Sequence, residues 1–479
     1  MAVLGQLEPR RVFHYFEELC AIPHGSGNTG ALSDWCVDFA RARGLEHYQD
    51  NAGNVIIIRE ASSGYEAAEP VIVQGHLDMV CEKEPGCSKD MAREGLDLAV
   101  EGDSVYAKGT TLGGDDGIAV AMGLALLEDE ELPHPRLEVV LTTGEEVGMT
   151  GAAVLDLSPL QGTRLLNLDS EEEGIFTVSC AGGSMVRCTL PLTRAPFDGA
   201  ALAVSVRGLT GGHSGTEIHK GRANAVMALG RVLQAMAMAS EIRLVSAWGG
   251  TKDNAIPVEA QALVLTEDAA LARSAAEAMG AALAEEYRLA DPSLAVTVTA
   301  AETAESALDA PSTSRALCFL TCLPNGVQAM SQDIPGLVQT SLNLGILTTE
   351  ATAMTASFCV RSSVESQKEM LHRRLRCLTE QLGGTVSISG DYAPWAYRRE
   401  SPLRQLMTEI FREQYGHEPR IEAIHAGVEC GLLAGKRPEL DCVSIGPDLT
   451  EIHTPRERMS ISSVQRTWRF VTEILRRAR

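Results

Sequence analysis

Residues 141–174 read LTTGEEVGMTGAAVLDLSPLQGTRLLNLDSEEEG, and this stretch decides the fold. An apolar, β-rich run that starts at Leu137 stops at a glycine and is followed at once by Glu145 and Glu146. A second apolar run, RLLNLD, ends on Asp169. Open α/β sheets place their sites beyond the carboxyl ends of their strands, so acids at two strand ends indicate such a site.

The adjacent pair Glu145 and Glu146 has two interpretations. Glutamates are mostly exposed, so an isolated pair is more often a solvated acidic turn. Successive side chains of an extended backbone diverge, however, so in a site one carboxylate would bind a metal while the other handles a proton. Residues elsewhere in the chain bear on this choice.

Length and composition limit the classes of protein. At 479 residues the chain is too long for one ordinary core, so two or more domains are expected. Its 45% hydrophobic and 22% charged residues are typical of a globular protein. The formal net charge of -23 argues against nucleic-acid and anionic-membrane partners, since both bind clustered Lys and Arg. Bound divalent cations would cancel part of this acidity.

The sequence predicts a cytoplasmic protein. Its first residues, MAVLGQLEPRRVFHYF, lack the basic region, apolar core and cleavage site of a signal peptide. No apolar run reaches the roughly 18 residues of a membrane span. The 12 cysteines are scattered without CxxC pairs, which indicates thiols in a reducing compartment and neither a disulfide framework nor a zinc ribbon.

Two further segments carry candidate histidine ligands. The apolar run PVIVQGHLDMV, residues 70–80, predicts a strand covered on both faces, with His76 and Asp78 on one face at i and i+2. This spacing suits a metal ligand with a supporting carboxylate, whereas alone the pair is more often a structural histidine near a strand end. His453, in a loop shortly after the strand DCVSIGP, has the same two interpretations.

Asp115 and Asp116 follow a Gly-Gly pair at the entry to a predicted amphipathic helix that runs to about Asp129. Aspartate is a common helix N-cap, so capping alone accounts for one of the two. The other would be well placed to bridge two metals. Farther along, Glu429 precedes the glycine that opens a small predicted helix.

The candidate ligands share a position at a predicted strand end or in the loop just after it; they are His76, Asp115, Glu146, Asp169 and His453. Two imidazoles and three carboxylates suit a pair of divalent ions, zinc in the first place, with one carboxylate bridging. Two such ions about 3.5–4 Å apart can hold a hydroxide between them as the nucleophile of a hydrolysis. Glu145, beside a ligand but facing elsewhere, is then the predicted general base.

The domain organisation changes near Leu190, where the chain begins to alternate strands and helices in α+β fashion. We predict a discontinuous catalytic domain over residues 1–189 and 393–479, and an inserted lid domain over residues 190–392. If the insert supplies a residue to the chemistry, closure would expel water and complete the site. The insert could form a lid or the surface of a homodimer, and the sequence does not decide between them.

The order and spacing of the motifs carry a family resemblance. The motifs are GHLDMV, GTTLGGDDGIA, TTGEEVGMTGA, LLNLDSEEEG, GGHSGTEIH, NAIP, PNGV, HAGVECG, and SIGP followed by IHTP. From about residue 5 onward the chain resembles the bacterial aminoacyl-histidine dipeptidases, also called Xaa-His or cytosol non-specific dipeptidases, of the aminoacylase-type dinuclear zinc exopeptidase superfamily. The resemblance implies an α/β fold class, with a zinc-exopeptidase catalytic domain whose mixed central sheet is flanked by helices, plus an inserted α+β lid domain.

The resemblance also implies how the metals are held. His76 and Asp169 would bind one ion, Glu146 and His453 would bind the other, and Asp115 would bridge the two. The ions would be zinc, with cobalt or manganese able to substitute.

Further implied roles concern the surroundings of the metals. Asp78 would support His76, and Glu145 would be the base. One departure from the family is visible, because the family has Asn at the position of Asp116. The additional carboxylate could alter the affinity or choice of metal, but it leaves the five ligands in place.

The last implied roles concern the substrate. His213, in the insert, is similar to the family histidine that stabilises the carbonyl oxygen. Asn254 and Arg361 match lid positions for the substrate oxyanion and its C-terminal carboxylate, and Glu429 completes the predicted substrate-binding residues.

The resulting hypothesis is a metal-dependent dipeptidase that acts on unblocked dipeptides, Xaa-His and carnosine-like ones among them. An N-acyl amino-acid deacylase or carboxypeptidase with the same metal centre is the alternative, and PNGV and GGHSGTEIH favour dipeptides by resemblance. A catalytically dead peptide-binding protein is disfavoured because the ligands and the base are all present. A serine nucleophile is disfavoured because GHSG around Ser214 lacks the GxSxG spacing.

Overall fold

The computed structural model describes residues 2–479, which form two compact units. Unit 1 comprises the chain up to Ser179 together with Tyr397–Ala423 and Val428–Arg479, and unit 2 comprises Cys180–Ala396 and Ile424–Gly427. The boundary expected between residues 189 and 190 falls inside a strand, Gly182–Pro191, that pairs along its length within the sheet of unit 2. The whole strand, including its residues before 190, lies in unit 2.

Helices and strands alternate along the chain. The first part of unit 1 contains α1 (Arg10–Cys20), α2 (Gly30–Ala42), β1 (Glu46–Gln49), β2 (Val55–Arg59), β3 (Val71–His76), β4 (Leu98–Glu101), β5 (Ser104–Ala107), α3 (Gly114–Glu128), β6 (Leu137–Thr142), α4 (Thr150–Val154), β7 (Arg164–Asn167) and β8 (Ile175–Cys180). Next come β9 (Gly182–Pro191), β10 (Arg194–Ala195), β11 (Ala200–Arg207), α5 (Ala225–Ala239), β12 (Ile242–Gly249), β13 (Ala260–Thr266), α6 (Ala269–Glu286), β14 (Ala295–Ala300), β15 (Ala307–Leu308), α7 (Ala310–Cys322), β16 (Gly326–Met330), β17 (Val338–Thr349), β18 (Ala353–Ser362), α8 (Glu365–Gln381) and β19 (Thr385–Tyr392). The chain ends with α9 (Pro402–Tyr415), β20 (Arg420–Ile424), α10 (Glu429–Lys436), β21 (Asp441–Ser444), β22 (Leu449–Thr450), β23 (Arg458–Ser460) and α11 (Ile461–Arg477).

The central sheet of unit 1 is mixed, as predicted. Its strands lie in the order β1-β2-β6-β3-β7-β21-β8-β20; β6, β3, β7 and β21 form a parallel run, while β1 and β2 are antiparallel. All residues of β3 and β6 are buried, which agrees with their largely apolar sequences. The carboxyl ends of β3, β6 and β7 therefore meet at one edge of the sheet, and predicted ligands follow each of them.

Helix α3 packs closely against both β6 and α1. A Cβ atom at Gly123 would lie 2.9 Å from Cγ1 of Val139, and one at Gly117 would lie 3.0 Å from Cδ1 of Leu19. Nearly every residue of α3 is buried, which is typical of a core helix. The prediction of an amphipathic helix is wrong here, because α1 covers the side that was expected to face solvent.

Unit 2 is built on one antiparallel sheet. Its strand order is β14-β11-β13-β12-β17-β18-β9-β19, with β16 paired to β17. One apolar core joins this sheet to helices α5, α6, α7 and α8; its fully buried residues include Leu229, Val232, Ala276, Phe319 and Leu371. This is the α+β composition predicted for the insert. Among residues 2–479, none of the helices combines the length and hydropathy that a membrane crossing requires.

Candidate active site

The predicted metal ligands all lie in unit 1, at the carboxyl edge of its sheet. His76 is the last residue of β3, and Asp169 lies just beyond β7. Glu146 follows β6, and Asp115 lies in the first turn of α3. His453 lies in the turn between β22 and β23, with a φ of 59°. Elements that are distant in the sequence thus bring these side chains together.

Asp115 lies between the two histidines. Its Oδ1 is 3.1 Å from Nε2 of His76, and its Oδ2 is 3.1 Å from Nε2 of His453. Asp169 Oδ1 lies 3.5 Å from the same nitrogen of His76, and Glu146 Oε1 lies 3.0 Å from that of His453. A carboxylate that turns one oxygen toward each of two such groups has the arrangement of a bridging ligand.

This set of donors fits a pair of divalent cations. Glu146 Oε1 is buried and makes no hydrogen bond, although it lies 3.0 Å from His453 Nε2. Two groups of three residues have ligand atoms within 4.8 Å of one another; both contain His76, joined by Asp115 and Glu146 in one and by Asp116 and Asp169 in the other. Imidazole nitrogen and carboxylate oxygen are donors that zinc and similar borderline ions accept.

The groups of the site perturb one another's protonation. Burial raises the pKa of Asp169 to about 6 and that of Glu145 to about 9, where the charge of Asp169 adds to the effect. The nearby carboxylates of Asp115 and Glu146 raise the pKa of His453 to about 10. Burial also acts to raise the pKa of Asp115, but hydrogen bonds from the two histidines outweigh it and hold that pKa well below its usual range. Bound cations would neutralise the negative charge of these carboxylates.

Asp78 supports the site by two routes. Its main-chain oxygen lies 2.8 Å from Nδ1 of His76, whereas its carboxylate is 3.7 Å from that nitrogen. The carboxylate instead accepts hydrogen bonds from the N–H groups of Glu145 (3.0 Å) and Glu146 (3.4 Å) and from the hydroxyl of Ser26 (2.8 Å). Strand β3 ends at His76, so the extended geometry that would place both side chains on one face does not continue to Asp78. An Nδ1–H donated to the carbonyl leaves Nε2 of His76 available to a metal.

A residue that the sequence analysis missed holds the turn of Asp115 in place. The carboxylate of Glu457 is 3% exposed and accepts hydrogen bonds of 2.8–3.4 Å from four consecutive backbone N–H groups, those of Leu112, Gly113, Gly114 and Asp115. Glu457 closely follows His453, so one short segment provides a candidate ligand and fixes another. In the sequence, Glu457 is a single acid in HTPRERM, and no motif spacing distinguishes it from an exposed surface residue.

Two further acids near the ligands are buried. Glu429 begins α10 and accepts hydrogen bonds of 2.6 Å from Nε2 of Gln74 and from the hydroxyl of Thr142. Burial raises the pKa of Glu429 to about 7. With these partners it braces β3 and β6, and its contact with substrate stays a prediction. Asp116 accepts a hydrogen bond of 3.2 Å from the backbone N–H of His76, which an Asn oxygen could equally accept.

His213, in unit 2, has a defined tautomer. Its Nδ1 accepts hydrogen bonds from the backbone N–H groups of Gly215 (3.3 Å) and Thr216 (3.2 Å), so the ring proton is on Nε2. Burial lowers the pKa of His213, and the charge of Arg361 adds to this. A neutral imidazole that donates from Nε2 can stabilise a carbonyl oxygen.

Asn254 and Arg361 line one cleft of unit 2, of about 530 Å³. Arg361 is on β18 and 8% exposed, and its Nε atom is buried without a hydrogen-bond partner. A guanidinium in this position suits a carboxylate ligand. A Cβ atom at Gly215 would lie 3.0 Å from Cε1 of His213 and 3.2 Å from Nε of Arg361, so these two predicted residues are neighbours.

The sheet of unit 1 and the carboxylates and imidazoles at its edge fit one class of protein. Residues 72–477 match the sequence profile of Peptidase family M20/M25/M40, and the chain belongs to this family. The protein is therefore a peptide-bond hydrolase, and the predicted α/β fold class is confirmed.

Three proteins are similar to this chain over nearly its whole length. The chain is 37% identical to the cytosol non-specific dipeptidase of Escherichia coli K12 over 480 aligned residues, which cover 99% of both proteins. The crystal structure of aminoacylhistidine dipeptidase from Vibrio alginolyticus has a TM-score of 0.93 at 35% identity and covers 99% of this chain and 97% of that one. Aminopeptidase PepT from Bacillus cereus, at 15% identity and a TM-score of 0.57, shares the fold over 99% of this chain and 100% of its own. The predicted resemblance to aminoacyl-histidine dipeptidases is confirmed.

Proposed function

We propose that the protein is a metal-dependent dipeptidase that hydrolyses the peptide bond of unblocked dipeptides, Xaa-His ones among them. The observation that carries the proposal is the position of Asp115 between His76 and His453, with Glu145 adjacent to Glu146. Both full-length relatives are named dipeptidases, which supports the same class of substrate.

Glu145 is the proposed general base. Two divalent ions at this site would lower the pKa of a water molecule and polarise the scissile carbonyl. Glu145 takes a proton from the attacking water and gives it to the leaving amine. Burial and the charge of Asp169 raise the pKa of Glu145, and bound divalent cations would offset that effect so that the carboxylate is free to accept the proton.

The residues of unit 2 have separate proposed tasks. His213 donates from Nε2 to the carbonyl oxygen as negative charge develops there. Asn254 and Arg361 bind the oxyanion and the C-terminal carboxylate of the dipeptide, and the planar guanidinium of Arg361 can bind a carboxylate through two parallel hydrogen bonds.

The proposed cofactor is a pair of zinc ions, for which cobalt or manganese can substitute, because the donors are nitrogen and oxygen. The proposed location is the cytoplasm. The Escherichia coli relative is named a cytosol non-specific dipeptidase, which supports this location. Homodimer formation through unit 2 stays a prediction.

Glu145→Ala tests the assignment of the base. We expect turnover to fall by about 10²–10⁴-fold while the metals stay bound, since Glu145 is not a proposed ligand. Glu130→Ala, which removes an exposed acid just after α3, is the matched control and should keep normal turnover. Near-normal turnover by metal-loaded Glu145→Ala would contradict the mechanism.

A substrate panel separates the proposal from its alternatives. The metal-loaded protein is assayed with free-amine dipeptides and with N-acetyl amino acids. We expect it to cleave the dipeptides. Preferential cleavage of the N-acetyl compounds would indicate a deacylase. Bound metal without turnover of either class would indicate a peptide-binding protein.

A further inference from the structure

Unit 1 contains a cleft of about 370 Å³ beside the predicted metal ligands. Glu146 forms part of its wall, and Oε1 of that residue lies 3.0 Å from Nε2 of His453. Much of the remaining wall is apolar and includes Met79, Met91 and Val147. The cleft is therefore a binding space directly beside the reaction centre, and the roles proposed above do not use it.

Hydrogen bonds fix the cleft relative to the centre. Ser26, in its wall, donates from its backbone N–H to the carbonyl of Met79 (3.2 Å) and from its hydroxyl to Asp78 (2.8 Å). The same carboxylate of Asp78 accepts from the N–H of Glu146. Met79 is 2% exposed and Met91 is 9% exposed, so both are packed in place. The shape of the cleft is thus largely formed before a ligand binds.

The charges in the cleft distinguish the two ends of a dipeptide. Apart from the proposed metal ligand Glu146, the charged residue of its wall is Glu82, and the described residues that line it include no Lys, Arg or His. Such a wall attracts an α-ammonium group and repels a carboxylate. A dipeptide whose peptide carbonyl lies at the centre therefore places its N-terminal residue toward the cleft.

We propose that this cleft binds the side chain of the N-terminal residue of the dipeptide and favours apolar side chains such as those of Leu, Met and Phe. The proposal rests on the proposed dipeptidase function. Pockets for small ligands have volumes of about 300–1,000 Å³, so this cleft is at the small end of that range and suits a single side chain. The polarisable thioethers of Met79 and Met91 make favourable contacts with both aliphatic and aromatic side chains, so the cleft favours apolar residues of either kind.

Met91→Trp tests the proposal, because an indole at this position fills space that an N-terminal Leu needs and an N-terminal Gly does not. We expect the ratio of kcat/KM for Leu-Ala to that for Gly-Ala to fall about tenfold or more, the size of effect seen for small changes in apolar pockets. The ratio for the reversed pair, Ala-Leu to Ala-Gly, should stay constant. Met238→Trp, at a residue of α5 that is 81% exposed, is the matched control and should keep both ratios.

Binding gives a second measurement. A Leu-Ala analogue with a reduced peptide bond should raise the Tm of the metal-loaded wild type more than that of Met91→Trp. If Met91→Trp does not fold, Ala92→Trp at the exposed rim of the cleft replaces it. An unchanged Leu-Ala to Gly-Ala ratio in a folded variant overturns the proposal, and so does a change confined to the reversed pair. A wild type that cleaves none of the four dipeptides contradicts the proposed function instead.

Discussion

The carboxylate of Glu457 accepts hydrogen bonds from four backbone N–H groups in the turn that carries Asp115. A Gln at this position offers one acceptor oxygen in place of two, so about half of these N–H groups would lose their acceptor. Each buried group left unpaired costs about 1–3 kcal/mol. We therefore expect Glu457→Gln to lower the free energy of unfolding by about 2–6 kcal/mol and to weaken metal binding about 10–100-fold.

Thermal unfolding and a zinc titration check the Glu457 prediction. The control is Glu130→Gln, which makes the same chemical change at an exposed residue. Wild-type Tm and wild-type metal affinity in Glu457→Gln would show that the four hydrogen bonds do not position Asp115.

His425 makes part of the stability of unit 2 depend on pH. Its Nε2 lies 2.7 Å from the hydroxyl of Ser341, and its Nδ1 is buried without a partner. Burial lowers the pKa of His425 from 6.5 to about 3, with the charges of Arg361 and His213 adding to the effect. As pH falls, the unfolded chain therefore takes up the proton first. The stability linked to this residue is complete above pH 6.5 and is lost as pH falls toward about 3.

His425→Asn removes this titration while keeping a group that can bond to Ser341. We expect the free energy of unfolding of the variant to fall less steeply than that of wild type between pH 6 and pH 4, a range inside the window set by the two pKa values. Denaturant unfolding at several pH values measures the two slopes. Equal slopes would contradict the prediction.

Among the elements, buried strands were the most predictable from the sequence. A strand covered on both faces has a near-continuous apolar run, and this pattern identifies β3 and β6 although Gln74 and Glu138 interrupt it. The ends of these strands are harder to predict. The apolar run 70–80 extends beyond β3, which ends at His76. One hydrogen bond to β6 follows the strand, from the N–H of Leu77 to the carbonyl of Thr142 (2.7 Å). The burial of α3 depends on contact with α1, a distant segment, so no local pattern could reveal it.

The close packing of α3 on β6 leads to a prediction at Gly123. A Cβ atom there would lie 2.9 Å from Cγ1 of Val139 in the middle of a buried strand, where the backbone has little room to shift. Overpacking of this kind costs about 1–3 kcal/mol, so Gly123→Ala should lower the Tm although Ala favours helix. Gly30→Ala is the control, since a Cβ at this first residue of α2 meets nothing within 4 Å. A Tm for Gly123→Ala equal to or above that of Gly30→Ala would contradict the prediction.

For the molecule as a whole, the order of motifs predicted which acids and histidines would be candidate ligands, because each motif ends a strand or opens a helix. What the sequence did not reveal are contacts between residues remote in the chain. Glu457 and Leu112 are separated by 345 residues, and Glu429 and Gln74 by 355. Such contacts depend on how the elements pack, and no spacing within one motif encodes them.

The charge of the whole molecule leads to a prediction about metal removal. The chain carries a formal net charge of -23, and several of its carboxylates converge beside Asp115. Their mutual repulsion destabilises the compact state, and bound divalent cations would relieve it. We expect chelation to lower the Tm and zinc to restore it, because a ligand at 100 times its Kd stabilises the folded state by about 2.7 kcal/mol.

The decisive comparison is between zinc and a simple salt. Potassium chloride screens exposed charges but affects buried ones much less, so it should not restore the Tm of the chelated protein. Elemental analysis should find about two metal equivalents per chain in wild type and fewer in His453→Ala, which lacks one of the predicted ligands. Either of two results would contradict a metal pair at this edge of the sheet. One is a chelated protein whose Tm rises as much with potassium chloride as with zinc, and the other is a wild type that retains no metal.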